Sequence, residues 1–233
     1  MKWFKLFLLV LIITVMAGSC SSVNELSKYN LSGTKVLFKT RTGTAASRVN
    51  INFESSKKSK EGVLIDIIYD IGGGYVKKDV EAKIQRLFNP DSIAENVSGS
   101  IEEILRTYYN IVPVESLDEN PDIIVETQMN KYTLNVDDYN IYSHFSGTLS
   151  IFDRKSGAIV WKNTEGINEP FEEWYAYNPN DKKIKDINRV INIIKLMNMS
   201  DEEIRNSIDL SASKIAYNLS DNLREDIADS RKK

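Results

Sequence analysis

The stretch Ser146–Asn163, SGTLSIFDRKSGAIVWKN, decides the fold. Leu149 and Ile151 alternate with Thr148 and Ser150, so apolar side chains fall on one face at a period of two. Extended backward, the same face takes Phe145 and Gly147. Asp153-Arg154-Lys155-Ser156-Gly157 then interrupts the alternation with turn formers, and Ala158–Thr164 (AIVWKNT) resumes it around an inward Trp161. Two strands on a short turn form a hairpin. Upstream, Ile123, Val125, Thr127 and Met129 share one face of another strand whose opposite face carries Glu126, Gln128 and Asn130. The three strands read as a β-meander with one wet side, preceded by a short strand at Ile111–Val114.

Away from this centre the period changes. In Tyr75–Phe88 the residues Val76, Val80, Ile84, Leu87 and Phe88 recur at helical spacing until Asn89-Pro90 stops them. Asp91–Asn110 predicts a second helix with Val97, Ile101, Ile104, Leu105 and Tyr108 on one face, starting at Asp91 or at a capping box of Ser100 and Glu103. Nearer the start, Lys35–Thr40 and the alternating Val49, Ile51 and Phe53 read as strands that pair as a hairpin, and Val63–Ile71 reads as a buried strand ending at Gly72-Gly73-Gly74. On the C-terminal side, Glu165–Pro179 is expected to be a loop rich in aromatics, followed by a helix through Ile184, Ile187, Val190, Ile191 and Ile194. Ser200-Asp201-Glu202-Glu203 is a capping box opening a last helix that carries Ile204, Ile208, Ala212, Ile215, Ala216, Leu219, Leu223 and Ile227. The expected class is α+β: a mixed, mainly antiparallel sheet with helices packed on one face and a helical C-terminus. One domain is expected over residues 34–228, with the aromatic loop at 165–179.

The chain has 233 residues, 42% hydrophobic and 27% charged, with a net charge of −3, the balance of a folded protein without a basic footprint for nucleic acid. Its N-terminus is different in kind. Lys2 and Lys5 flank Trp3, and Leu6–Met16 is apolar except for Thr14. Eleven helical residues rise about 16 Å against a hydrocarbon core of about 30 Å, so the run is a cleavable leader and not a permanent span. Loss of residues 1–19 removes Lys2 and Lys5 and takes the net charge from −3 to −5. Ser21–Gly33 is polar with scattered apolar residues, and residues 20–33 are expected to act as a tether.

Ala17-Gly18-Ser19-Cys20 places small residues before the only cysteine of the chain, and it resembles the lipobox of bacterial lipoproteins, with Ala17 where that motif usually has Leu. The resemblance implies that the Cys20 thiol receives a diacylglycerol, that residues 1–19 are cut away, and that the new N-terminus is acylated, palmitate being a typical chain. By the same resemblance Ser21, in place of an Asp, implies the outer membrane, facing the periplasm. From Ile101 to Leu223 the order of elements resembles envelope auxiliary lipoproteins, those of ABC lipid-transport systems and the activators of peptidoglycan synthases. That resemblance implies an accessory component docking on an unidentified envelope protein, with a carrier of lipid or another small ligand as the alternative.

Little in the sequence supports catalysis, and no enzyme, metal or cofactor is expected. His144 is the sole histidine and falls on a polar strand face, too few ligands for a zinc site beside a lipidated cysteine. Asp118, Glu119 and Asp122, and the pair Asp137-Asp138, lie where turns are expected. Gly72-Gly73-Gly74 lacks the Lys-Ser/Thr of a phosphate cradle. The candidate partner-binding residues are Trp174, Tyr175 and Tyr177, either as anchors in a partner's groove or, with Phe171, as a lid on the core. The two readings move different measurements. As anchors, truncation to Ala is expected to weaken capture of a partner by about 2 kcal/mol or more at each hot spot with the melting temperature unchanged. As a lid, Trp174→Ala is expected to cost about 3–5 kcal/mol of folding stability.

Overall fold

The alternating run after Pro121 forms the longest strand, and the sheet is assembled on it. The computed structural model describes residues 23–43, 50–53, 74–136, 140–171, 191–192 and 194–232. In chain order the elements are β1 (Val23–Asn24), β2 (Lys35–Thr42), β3 (Asn50–Phe53), α1 (Gly74–Leu87), α2 (Pro90–Tyr109), β4 (Val112–Val114), β5 (Ile123–Val136), β6 (Ile141–Asp153), β7 (Ile159–Pro170) and α3 (Asp201–Ser230). Residues 191–192 and 194–198 are also helical. The seven strands form one mixed sheet in the order β1-β7-β6-β5-β2-β4, with β3 also on β5. Its long ladders, β5–β6 and β6–β7, are antiparallel, so the α+β class and the meander read from the sequence are present.

β2 and β3 do not form the expected hairpin. Both run parallel to β5 and lie end to end along its free edge, β2 from Val36↔Ile123 to Thr42↔Met129 and β3 from Asn50↔Thr133 to Phe53↔Val136. The changeover coincides with a β-bulge between Met129 and Lys131. There Gly43 N donates to Met129 O at 2.8 Å, and a Cβ on Gly43 would stand 3.0 Å from that oxygen. The bulge also changes phase. Ile123, Val125, Thr127 and Met129 are buried before it, Tyr132, Leu134 and Val136 after it, while on β6 Phe145, Gly147, Leu149 and Ile151 stay buried at a constant period of two, with Thr148 and Ser150 between them buried as well.

α2 begins where α1 gives out. Asn89 Oδ1 accepts from the backbone N–H of Asp91 and Ser92, with Pro90 in the first turn, so the alternative start at Ser100 is unused. Ser100 Oγ instead donates back to Asn96 O at 3.0 Å inside the helix. Tyr108, expected on the packed face, is 63% exposed, and its neighbour Tyr109 is buried in line with Ile101 and Leu105 at four-residue steps. Before α3 the expected stripe is likewise displaced: Ile191 and Ile194 are exposed, and Leu196 and Met199 are buried. The buried strand expected at Val63–Ile71 lies outside the described residues.

α3 follows the sequence reading closely. Ser200 Oγ accepts from Glu203 N at 3.2 Å and Glu203 Oε2 accepts from Ser200 N at 2.6 Å, closing the capping box. Every apolar residue assigned to its inner stripe, Ile204 through Ile227, is buried. The helix lies against β6 and β7, and Trp161, fully buried, donates its indole N–H to Asp226 Oδ2 at 2.7 Å. Six residues along β6 from the rung of Trp161, Tyr132 stacks on Phe88 with centroids 4.5 Å apart and meets Phe145 edge-on at 4.6 Å. The approach of α3 depends on Gly147, where a Cβ would stand 3.3 Å from Ile215 Cδ1 and 3.5 Å from Met129 Sδ. Gly147→Val is therefore expected to cost about 1–3 kcal/mol by overpacking, read as a lowered urea midpoint. An unchanged midpoint would mean that α3 can shift at no cost.

Candidate functional site

Of the residues singled out from the sequence, Cys20, Trp174, Tyr175 and Tyr177 lie outside the described residues, as do Asp137 and Asp138. What the structure does place is the chain on either side of them. The expected loop at 165–179 begins later than its composition suggests, because β7 continues through Glu165 to Pro170 in register with β6 as far as Tyr142. Phe171 is buried, its N–H donates to Ile141 O at 2.8 Å, and its carbonyl accepts from Ser207 Oγ at 2.9 Å. Phe171, the last described residue before the other aromatics, is thus pinned to the N-terminal third of α3.

The expected tether is bound to the domain over most of its length. Val23 and Asn24 form β1 on the outer edge of β7, opposite Lys162 and Trp161, and Glu25 N donates to Val160 O at 2.8 Å. Leu26 and Leu31 are only 2% and 5% exposed and belong to the main core. A polar average had concealed two leucines with somewhere to go. The folded body therefore includes Val23–Asn24 and the strap through Leu31, and two residues, Ser21 and Ser22, stand between Val23 and Cys20.

A cleft of about 260 Å³ opens where this strap meets the end of α3, between Leu26–Leu31 and Ile227, Ser230 and Arg231. The Arg231 guanidinium lies 5.8 Å above the Tyr109 ring, and burial pushes that phenol's pKa up while Arg231 opposes the shift. A second cleft of about 250 Å³ runs between α2 and α3, flanked by Tyr108 and Tyr217, each 63% exposed. On its rim Arg224 forks onto Asp221 Oδ1 at 2.6 and 3.1 Å, which raises the guanidinium pKa.

The groups weighed for catalysis are occupied otherwise. His144 Nδ1 sits 2.9 Å from Asn168 Oδ1 on the outer sheet face. Glu119 Oε1 accepts from the N–H of Glu115 and Ser116 and so holds the turn before β5, while Asp122 Oδ2 accepts from Lys35 N and ties the entry of β5 to the start of β2. Asp153 does the same at the β6–β7 turn, where the Lys155 amide and the Ser156 hydroxyl hold its carboxyl below the usual value. Phe145, Leu149, Ile151 and Trp161 fill the inward faces as their volumes predict, which weighs against a ligand-filled interior.

No family model matches the chain, and no curated protein matches it. Among solved structures, the PelC dodecamer from Paraburkholderia phytofirmans is 11% identical, with 77% of this chain and 96% of that chain covered and a TM-score of 0.32. A DUF330 protein from Xanthomonas campestris is 6% identical over 89% and 95% of the two chains, with a TM-score of 0.37. Lipoprotein GNA1162 from Neisseria meningitidis is 11% identical over 70% and 98%, with a TM-score of 0.23. Matches this distant assign no activity.

Leu26 tests the docked strap directly. Leu26→Ala is expected to cost about 2–4 kcal/mol on urea denaturation, by loss of burial and the cavity left behind. A free tether would tolerate the change with no effect on the midpoint.

Proposed function

We propose that this chain is a bacterial envelope lipoprotein, anchored through acyl chains on Cys20, whose α+β body serves as an accessory or docking component of a larger envelope complex. The observation that carries the reading is the leader: a basic start, an apolar run too short to span, small residues, and the only cysteine at the position where cleavage would make it residue one. Among the described residues no helix is long and apolar enough to cross a membrane, so attachment on this reading is through lipid. One acyl chain holds a protein only marginally, whereas two or three make the attachment effectively stable. Ser21 favours the outer membrane, with the body facing the periplasm.

The role is read as non-catalytic, because His144 and the turn carboxylates are engaged in structural hydrogen bonds. Packing of Trp161, Phe145 and Leu149 at zero exposure favours a docking body over a carrier. Trp174, Tyr175 and Tyr177 remain the proposed contact with the partner.

Metabolic labelling with a palmitate analogue, followed by mass measurement of the N-terminal peptide, is expected to find acylated Cys20 as the first residue. Cys20→Ala is expected to accumulate unprocessed precursor. A free thiol at Cys20 in the mature protein would falsify the lipoprotein reading, and fractionation with inner-membrane markers alone would overturn the outer-membrane assignment.

A further inference from the structure

We propose that the end of the domain formed by β1, the 26–31 strap and the C-terminus of α3 rests on the lipid surface, with the cleft between strap and helix taking the phosphate of an anionic phospholipid headgroup. The proposal rests on the lipoprotein reading and adds an orientation to it. The first argument is chain length. Cys20 is three residues before Val23, and three Cα steps of about 3.8 Å reach at most about 11 Å. Val23 is already fixed on β7 opposite Lys162, so an acyl-bearing Cys20 brings that corner of the fold down to the headgroups. A free tether over residues 20–33 would have imposed no orientation.

The second argument is the charge left over at that corner. Glu25 is paired with Lys28 at 3.0 Å, Asp229 with Lys232 at 2.8 Å, and Asp226 holds the Trp161 indole N–H. Arg231 makes no ion pair among the described residues and is held only over the Tyr109 ring at 5.8 Å. A planar guanidinium with no carboxylate partner among the described residues, at the mouth of a cleft that also offers the Ser27 hydroxyl and the Asn30 amide, suits a phosphate, which it can bind through two N–H groups at once. At about 260 Å³ the cleft has the volume for a headgroup and not for an acyl chain. Its apolar floor of Leu26, Leu31 and Ile227 would lie against the glycerol region.

The test uses the full acylated protein in phosphatidylethanolamine vesicles with and without phosphatidylglycerol. Because Cys20 is the only native cysteine, Ala228→Cys and Glu202→Cys each offer one site for a fluorophore when that thiol is acylated, and neither residue lines the cleft. The two positions lie 26 residues apart on α3, about 39 Å along the helix. Headgroup-quencher lipids are expected to quench the label at 228 and spare the label at 202. Adding Arg231→Gln is expected to reduce quenching at 228 in phosphatidylglycerol vesicles while flotation with the vesicles persists. Equal quenching at both positions, or none at 228 in protein that still floats, overturns the orientation and leaves the anchor standing. The latter result would point to a protein covering the cleft. Quenching indifferent to Arg231 overturns the phosphate site, and wild-type protein that neither floats nor carries acyl mass overturns the lipoprotein reading itself.

Discussion

Everything in the sheet refers to β5, and β5 is divided by its bulge. One flank pairs along its whole length with β6, and the other is shared by two successive strands, β2 and β3, laid end to end. The buried apolar residues of β5 change parity along the strand, from Ile123, Val125 and Met129 to Tyr132, Leu134 and Val136. The extra residue between Met129 and Lys131 lets both sets face the same core. Asn130, the residue without a counterpart on β6, is steadied by donating its Nδ2 to Thr148 Oγ1 at 2.7 Å. Gly43 lets the end of β2 close against the bulge, since its N–H donates to Met129 O at 2.8 Å where a Cβ would stand 3.0 Å from that oxygen.

The elements that were legible in the sequence are those whose chemistry is local. The α3 capping box, its inner stripe and the turn at Asp153–Gly157 each declare themselves within a few residues. The elements that were misread depend on distant partners. The β2 and β3 runs are each sound strands, but alternation gives no direction of pairing, and only β5 makes them parallel. Leu26 and Leu31 are too few to show a period, so the strap passed for a tether until β7 and α3 supplied its pocket. Tyr108 and Tyr109 are adjacent and equally apolar, and which of them packs is decided by the position of the neighbouring elements. The candidate site divides in the same way: Cys20 is recognisable from its local frame, whereas the cleft at Arg231 arises only when residues two hundred apart meet.

The core has a cost that its composition hides. Tyr132 is wholly buried between Phe88 and Phe145, its hydroxyl has no hydrogen-bond partner among the described residues, and burial raises its pKa above the usual value. Among the same residues the hydroxyl of Thr127, on the inward face of β5, has no partner either. Each such group forfeits about 1–3 kcal/mol of desolvation, so the chain offsets it by packing, with no disulfide available to it. α3 makes the largest contribution of any helix, since its buried residues run from Ile204 to Ile227 over the meander and down to the strap.

α3 also relates the two ends of the molecule functionally. Its thirty residues extend about 45 Å, from the Ser200 cap to the cleft at Arg231. Phe171, from which the aromatic segment departs, is tied to Ser207 in the second turn of that helix. If the C-terminal end stands on lipid, the N-terminal end of α3 and Phe171 are held on the far side of the domain, away from the bilayer. The 24 residues from Ser207 to Arg231 then put about 36 Å of helix between Phe171 and the lipid. That separation does not rely on a flexible linker, because the strap that would have been the linker is part of the core. On that reading the height of Phe171 above the membrane is set by the same packing that stabilises the fold.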